Sequence, residues 1–182
     1  MIDLDAAEIR TRDVCSLASV TPRQLQVWDE NHVLVPVHHG KIRHYTIVQA
    51  VMAMVGRELR ARHFSTVYVR RIVKLSENAA RHAIASQQRW IVMVPYKTGG
   101  GGYVQHRAEM MRPDDVVAWM KIHGGCFAIA IHDLVDELAA RMAKLRMPAA
   151  KELLAGRRQP AQIPLAFPGP RSPGATPGNQ HR

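Results

Sequence analysis

Arg23, Gln24 and Gln26 are the side chains whose types and spacing could do chemistry, and that chemistry is hydrogen bonding to nucleobase edges. A guanidinium pairs bidentately with guanine and a carboxamide with adenine, each good pair giving roughly 1–3 kcal/mol of discrimination. The three follow Thr21-Pro22, and Thr21 is a helix N-cap residue. Pro22 then falls at the first helical position, where its missing N–H costs nothing. Leu25 and Trp28, three residues apart, mark the buried face of this helix, so Arg23, Gln24 and Gln26 point away from it.

A second group of side chains suits phosphate. Between Lys41 and Lys74 stand eight basic residues (Lys41, Arg43, Arg57, Arg60, Arg62, Arg70, Arg71 and Lys74) against one acid, Glu58. Such a strip beside a base-reading helix is an electrostatic footprint for a polyanion. Lys41, Arg43 and Tyr45 are expected to reach flanking backbone or minor groove, and Arg70 and Arg71 to touch phosphate, where contacts position without specifying sequence. Thr21, the N-cap of the reading helix, is also a candidate DNA-binding residue.

The elements that must hold these groups follow from pattern. Val14, Leu17 and Ala18 carry the 3.6-residue period of a partner helix, and Ser19-Val20 is a tight link to the reading helix at 21–31. Val33–Val37 is extended, His38-His39-Gly40-Lys41 turns, and Ile42–Tyr45 returns as a strand, which makes a wing over 33–45. Thr46 caps a helix striped by Ile47, Val48, Val51, Met52, Val55 and Leu59. His63-Phe64 breaks it, and Ser65 caps another helix with Val69, Ile72 and Val73 inward. Residues 1–11 read as a polar lead-in.

From Ser76 the character changes. A weakly amphipathic helix is expected over Glu77–Gln88, then a buried strand Trp90–Val94, the glycine run Gly99–Gly102 and an alternating strand Tyr103–Ala108. Pro113-Asp114-Asp115 opens a helix through Val116, Val117, Trp119 and Met120, and Cys126–Ile131 is a third strand. Asp133 is expected to cap a last helix to about Arg146. From Pro148 on the chain holds seven of its eleven prolines, so 148–182 is expected to be a disordered basic tail. The fold class is therefore mainly α with an α+β C-terminal unit: winged helix-turn-helix 1–75, small sheet-plus-helices unit 76–147, tail 148–182.

At 182 residues, 47% hydrophobic and a formal charge of +10, the chain can bury a core and prefers an anionic partner. Two cysteines, Cys15 and Cys126, make no zinc ribbon or disulfide framework and suit a reducing compartment. No apolar run reaches the ~18–20 residues of a membrane span. Met1-Ile2-Asp3-Leu4-Asp5 lacks the regions of a signal peptide, so a cytoplasmic, nucleoid-associated location is expected. His123, Cys126 and His132 match no zinc spacing, and the glycine run lacks a phosphate-loop ending, so neither a metal nor a cofactor is expected. Asp114-Asp115 reads as helix capping and Trp90 and Trp119 as core, so no enzyme is expected.

Over residues 12–75 the chain resembles the DNA-binding domain of MerR-family transcriptional regulators. Thr21-Pro22-Arg23-Gln24-Leu25 stands where that family has serine-proline-arginine-threonine-leucine, and Trp28 at its aromatic. Val33-Leu34-Val35-Pro36 stands at the wing entry and Arg43-His44-Tyr45 at the wing end. The family arginine two residues before the aromatic is Gln26 here, and its two usual glycines fall at His32 and at His63-Phe64. The long dimerising helix with metal-binding cysteines that normally follows is not visible. The resemblance implies DNA binding, with double-stranded DNA as partner, and does not imply mercury, copper or zinc sensing. Because one helix reads only a few base pairs, a sequence-specific regulator acting as a homodimer is expected. Antitoxins and excisionases share this winged helix, so an interaction protein or an architectural DNA-binding factor is the alternative. Residues 76–147 are the candidate for dimerisation, a protein partner or an effector, with a pocket expected near Trp90 and Trp119 in the last case. The strand 126–131 offers an edge that could pair with another chain.

Overall fold

The computed structural model describes residues 3–86, 88–95, 109–123 and 126–155. Its first unit is a helix pair and a small sheet. Helix α1 (Thr11–Ala18) ends at Ser19, which takes the left-handed conformation (φ 54°), and α2 (Pro22–Glu30) follows. Val14, Leu17 and Ala18 of α1 pack with Leu25 and Trp28 of α2, all buried. Strands β2 (Val37–His39) and β3 (Ile42–Tyr45) pair antiparallel around Gly40, whose φ of 63° supplies the turn.

The lead-in is not featureless. Ile9–Arg10 form strand β1, which pairs with β3 in the register Ile9↔Tyr45, and Ile9 is buried. The wing is thus a three-stranded sheet in the order β1-β3-β2. Two residues are too few to show a period, which is why the sequence pattern passes over them.

Helix α3 (Ile47–Ala61) is capped by Thr46 and is the central pillar, with Ile47, Val48, Val51, Met52, Val55 and Leu59 all buried. Gly56 of α3 lies against Trp28, where an added Cβ would come within 2.9 Å of the indole. Ser65 caps α4, but α4 runs without interruption from Thr66 to Ala85 instead of stopping near residue 75 for a second helix. Ser76, where the character changes, is fully buried, and its hydroxyl donates to the Ile72 carbonyl at 2.8 Å. Self-satisfied in this way, the serine sits in the helix interior and the stripe continues through Ala79, Ala80 and Ala83.

The second sheet has the order β5-β4-β6, with β4 (Ile91–Pro95) central between β5 (Glu109–Met111) and β6 (Cys126–Ala130), both antiparallel to it. The strand expected at 103–108 lies outside the described residues, as does the glycine run. Val92, Val94 and Ile129 face the main core with α4 and α6 (Ile131–Lys144). The opposite face carries Met93 and Met111 under Trp119 of α5 (Val116–His123), with Ile91 and Cys126 at its margin. Helix α6 starts directly from β6 with Ala130 as its N-cap, so Asp133 lies in its first turn and does not cap it.

Part of the expected tail is ordered. Residues Ala149–Ala155 form α7, and Ala150 and Leu153 are buried in the main core. That core runs from Ile9 to Leu153 and joins both units, so the sheet unit packs on α4 and α6 as a continuation of the winged helix. Residues 156–182 lie outside the described residues. Among the described residues no helix is long and apolar enough to cross a membrane.

His32 and His63, which stand at the usual family glycines, have φ of 53° and 60°. A side chain in the left-handed region costs roughly 1–2 kcal/mol, partly offset by the smaller entropy loss on folding relative to glycine. His63→Gly is therefore expected to raise stability by about 0.5–1 kcal/mol. Urea unfolding checks this, and a lowered midpoint would contradict the strain.

Candidate nucleic-acid interface

The reading helix is held by a reciprocal cap. Gln24 N–H donates to the Thr21 hydroxyl oxygen at 3.1 Å, and Thr21 N–H donates to Gln24 Oε1 at 2.8 Å. Threonine followed three residues later by glutamine is a capping box. The Thr21 hydroxyl donates to the same Oε1 at 3.1 Å. The Gln24 carbonyl is therefore committed within the fold, and a bidentate pair with adenine requires the box to open. Gln26 is half-buried, its Nε2 donating to Glu30 Oε1 at 2.8 Å. Arg23 is exposed in the first turn and, among the described residues, makes no hydrogen bond or ion pair.

Arg43 does not stand free at the wing. Its Nε donates to Asp29 Oδ2 at 3.0 Å, and His38 Nε2 lies 3.6 Å from the same oxygen. Asp29 is on α2, so this contact ties the wing to the reading helix. The entry to the wing is pinned separately. Gln49 completes a second capping box with Thr46, and its Nε2 donates to the Val35 carbonyl at 2.7 Å.

Tyr45, expected to contact DNA, is a core residue. It is fully buried beneath β1 and α1, and burial pushes its phenol pKa up. An aromatic that closes a wing strand alternates inward there, so it cannot reach flanking backbone. Lys41 is exposed at the wing turn, and Arg70 and Arg71 are exposed on α4. Arg70 Nη1 lies 3.5 Å from the Asn31 carbonyl at the end of α2. These two arginines and Lys74 rim a cavity of about 820 Å³ between α4 and the wing entry, floored by Val33, Leu34 and Met52. The pocket expected near Trp90 and Trp119 is not this one. Trp119 is itself buried, with Nε1 donating to Glu109 Oε2 at 3.0 Å.

The turn between α1 and α2 is clamped from outside. Helix α1 has no basic residue in its last turn, so its terminal carbonyls lack a cation of their own. Two arginines from elsewhere supply it. Arg141 of α6 donates through Nη1 to the Leu17 carbonyl at 2.7 Å and to the Ser19 hydroxyl at 2.6 Å. Arg57 of α3 donates to the Ala18 carbonyl at 3.2 Å. Glu137 lies 2.5 Å from Arg141 Nη2 and 3.8 Å from Arg57 Nη1. Glu58 accepts from Arg57 at 2.9 Å and from Arg62 at 2.9 Å.

Residues 9–75 match the family described as MerR HTH family regulatory protein. The N-terminal unit is a MerR-type helix-turn-helix. The match begins at β1 and ends within α4, spanning the capped helices and the wing. A domain of this MerR type is a sequence-specific DNA-binding regulatory module and carries no catalytic machinery. No curated protein matches the chain. Among the described residues no group of three His, Cys, Asp or Glu side chains is placed to hold a metal ion.

Sequence reading missed Asp29, Gln49, Arg57 and Arg141 as positioning groups. The spacing Thr46-x-x-Gln49 was a readable signal for one of them. Arg141 had none, because it stands more than a hundred residues from the carbonyl it binds.

Two outcomes follow from the clamp. Arg141→Ala removes a charged donor to two acceptors and is expected to cost roughly 1.5–3 kcal/mol, with Arg141→Lys recovering part of it. Chemical denaturation of both variants measures this, and an unchanged Arg141→Ala midpoint would refute it. Burial works to raise the Glu58 pKa, but hydrogen bonds from Arg62 and Arg57 outweigh it and hold the carboxyl below its ordinary value of 4.5. With the folded pKa depressed, its stabilising contribution is full above pH 4.5 and fades as the pH falls through the folded value. Glu58→Gln should thus lower the urea midpoint at neutral pH and lose that effect in acid; an equal effect at both would contradict it.

Proposed function

We propose that this protein regulates transcription as a homodimer, each copy setting α2 in the major groove of one half-site. One short helix reads only a few base pairs, and two half-sites supply the rest of the affinity and specificity. The observation that carries the reading is Arg23. It projects, unpartnered among the described residues, from the first turn of a helix whose start is fixed by a capping box and whose back is fixed by Leu25 and Trp28. Recognition helices address bases with their N-terminal residues, and that is where Arg23 stands.

The other groups take supporting roles. Thr21 fixes the helix start. Gln26 and the Gln24 amide nitrogen are the remaining base-facing donors, each carrying less information than a free carboxamide. Lys41 at the wing turn and Arg70 and Arg71 on α4 supply charge to the flanking phosphates, and Arg43 holds the wing against α2 through Asp29. The working location in this reading is the cytoplasm, on the nucleoid.

Selection from a randomised duplex library yields a preferred site, and fluorescence anisotropy then compares it with random duplex. Arg23→Ala is expected to lower affinity for the selected site about tenfold, the equivalent of one bidentate base contact, with little loss on random duplex. Arg43→Ala is expected to lower both together. Equal losses on both duplexes for both variants would remove this division of roles, and a parent protein that ignores every duplex at low salt would remove the function.

A further inference from the structure

Strand β6 is an edge. In the order β5-β4-β6 its inner side pairs with β4 through the register Val92↔Ile129 and Val94↔Phe127. Ile131 N–H donates to the Trp90 carbonyl at 2.9 Å, which fixes the parity of the ladder. Residues two apart turn their backbone groups to the same side, so 127, 129 and 131 address β4. Cys126 and Ala128 then direct N–H and C=O outward. Among the described residues nothing pairs with those groups.

An open edge of this kind is normally blunted by a charge, a proline or a bulge. Cys126-Phe127-Ala128-Ile129-Ala130 has no charge and no proline, and its pairing with β4 is unbroken. Ala128, its midpoint, is exposed. The inward side chains are fixed: Ile129 is buried in the main core, and Phe127 stacks 6.5 Å from Phe64 with the Arg62 guanidinium 3.8 Å above its ring. The strand is thus anchored from one face. Helix α4 packs on β4 and β5.

We infer that β6 is the dimer interface, pairing antiparallel with β6 of a second copy to join two three-stranded sheets into one. The inference rests on the homodimer reading above and names its surface. Identical antiparallel strands obey a two-fold axis, as a closed isologous dimer requires. Centred on Ala128, the register sets Ala128 opposite its own counterpart and Cys126 opposite the partner subunit's Ala130. The side chains on that face are small, so the two strands can approach without collision. A five-residue strand falls short of the ~800 Å² per partner typical of a stable interface. Helix α5, which packs on the same face of the sheet, adds area by leaving Val117 and Met120 exposed.

Ala128→Pro removes only the outward N–H, which β4 does not use, so the fold is expected to persist. Light scattering on eluting protein should report a dimer for the parent and for Ala128→Gly, and half that mass for Ala128→Pro with unchanged circular dichroism. In a Cys15→Ser/Cys126→Ser background, Ala128→Cys should join into a covalent dimer with a short bismaleimide several-fold faster than the exposed control Val67→Cys. That crosslink decides the matter should the proline variant not fold. A monomeric parent, a dimer that survives Ala128→Pro, or crosslinking no faster than the control would overturn the inference. Because mass is read without DNA, a parent that dimerises through β6 yet ignores every duplex would leave this surface standing and remove the DNA function alone.

Discussion

The placement of α2 depends on the Trp28 indole lying against Gly56. A nine-residue helix is too short to hold its shape in isolation and takes its stability from packing. Leu25 and Trp28 are the only residues α2 buries, so these two contacts set its rotation about its own axis. Gly56 costs α3 about 1 kcal/mol of helix propensity relative to alanine. In exchange, the indole reaches the α3 backbone at a spacing that a Cβ, 2.9 Å away, would close. With the rotation fixed on one side by the tryptophan, the opposite side of the first turn is Arg23. The direction in which Arg23 projects is thus a consequence of a backbone contact on the far face.

A second constraint makes the two halves of the chain interdependent. The turn between α1 and α2 ends in carbonyls that α1 cannot satisfy with its own residues, and the nearest cations come from α3 and α6. Arg141 is held in place by Glu137 on its own helix, four residues earlier. The sheet unit therefore touches the helix-turn-helix by charge as well as by the shared core. An event that shifts α6 has a direct physical route to the turn, a route of two hydrogen bonds.

What the sequence makes legible is local. Thr21, Thr46 and Ser65 announce helix starts because a capping side chain acts within three residues of itself, and all three accept from the backbone as their types require. Leu25 and Trp28 announce a buried face for the same reason. Illegible parts share one property, partners that are distant in sequence. Strand β1 exists because of β3, Asp29 matters because of Arg43, and Arg141 matters because of Leu17. Tyr45 is ambiguous by type, since an aromatic beside a basic wing residue fits a backbone contact as well as a core, and only the β1 register decides. Gln24 is the opposite case: its capping partner is only three residues away, and its carbonyl is bonded to Thr21.

The charge distribution over the interface also changes meaning once Asp29 is placed. A carboxylate on the reading helix would repel phosphate if it faced solvent, but Asp29 is only 17% exposed and is held by Arg43. A paired guanidinium brings little net attraction to a polyanion, because its field is largely cancelled by the acid 3.0 Å away. Among the described residues Arg23, Lys41, Arg70, Arg71 and Lys74 have no acidic partner, so their charge is not cancelled in this way. Arg43 serves by geometry instead. It ties the wing to α2 through Asp29, so the two elements keep a fixed relation to each other.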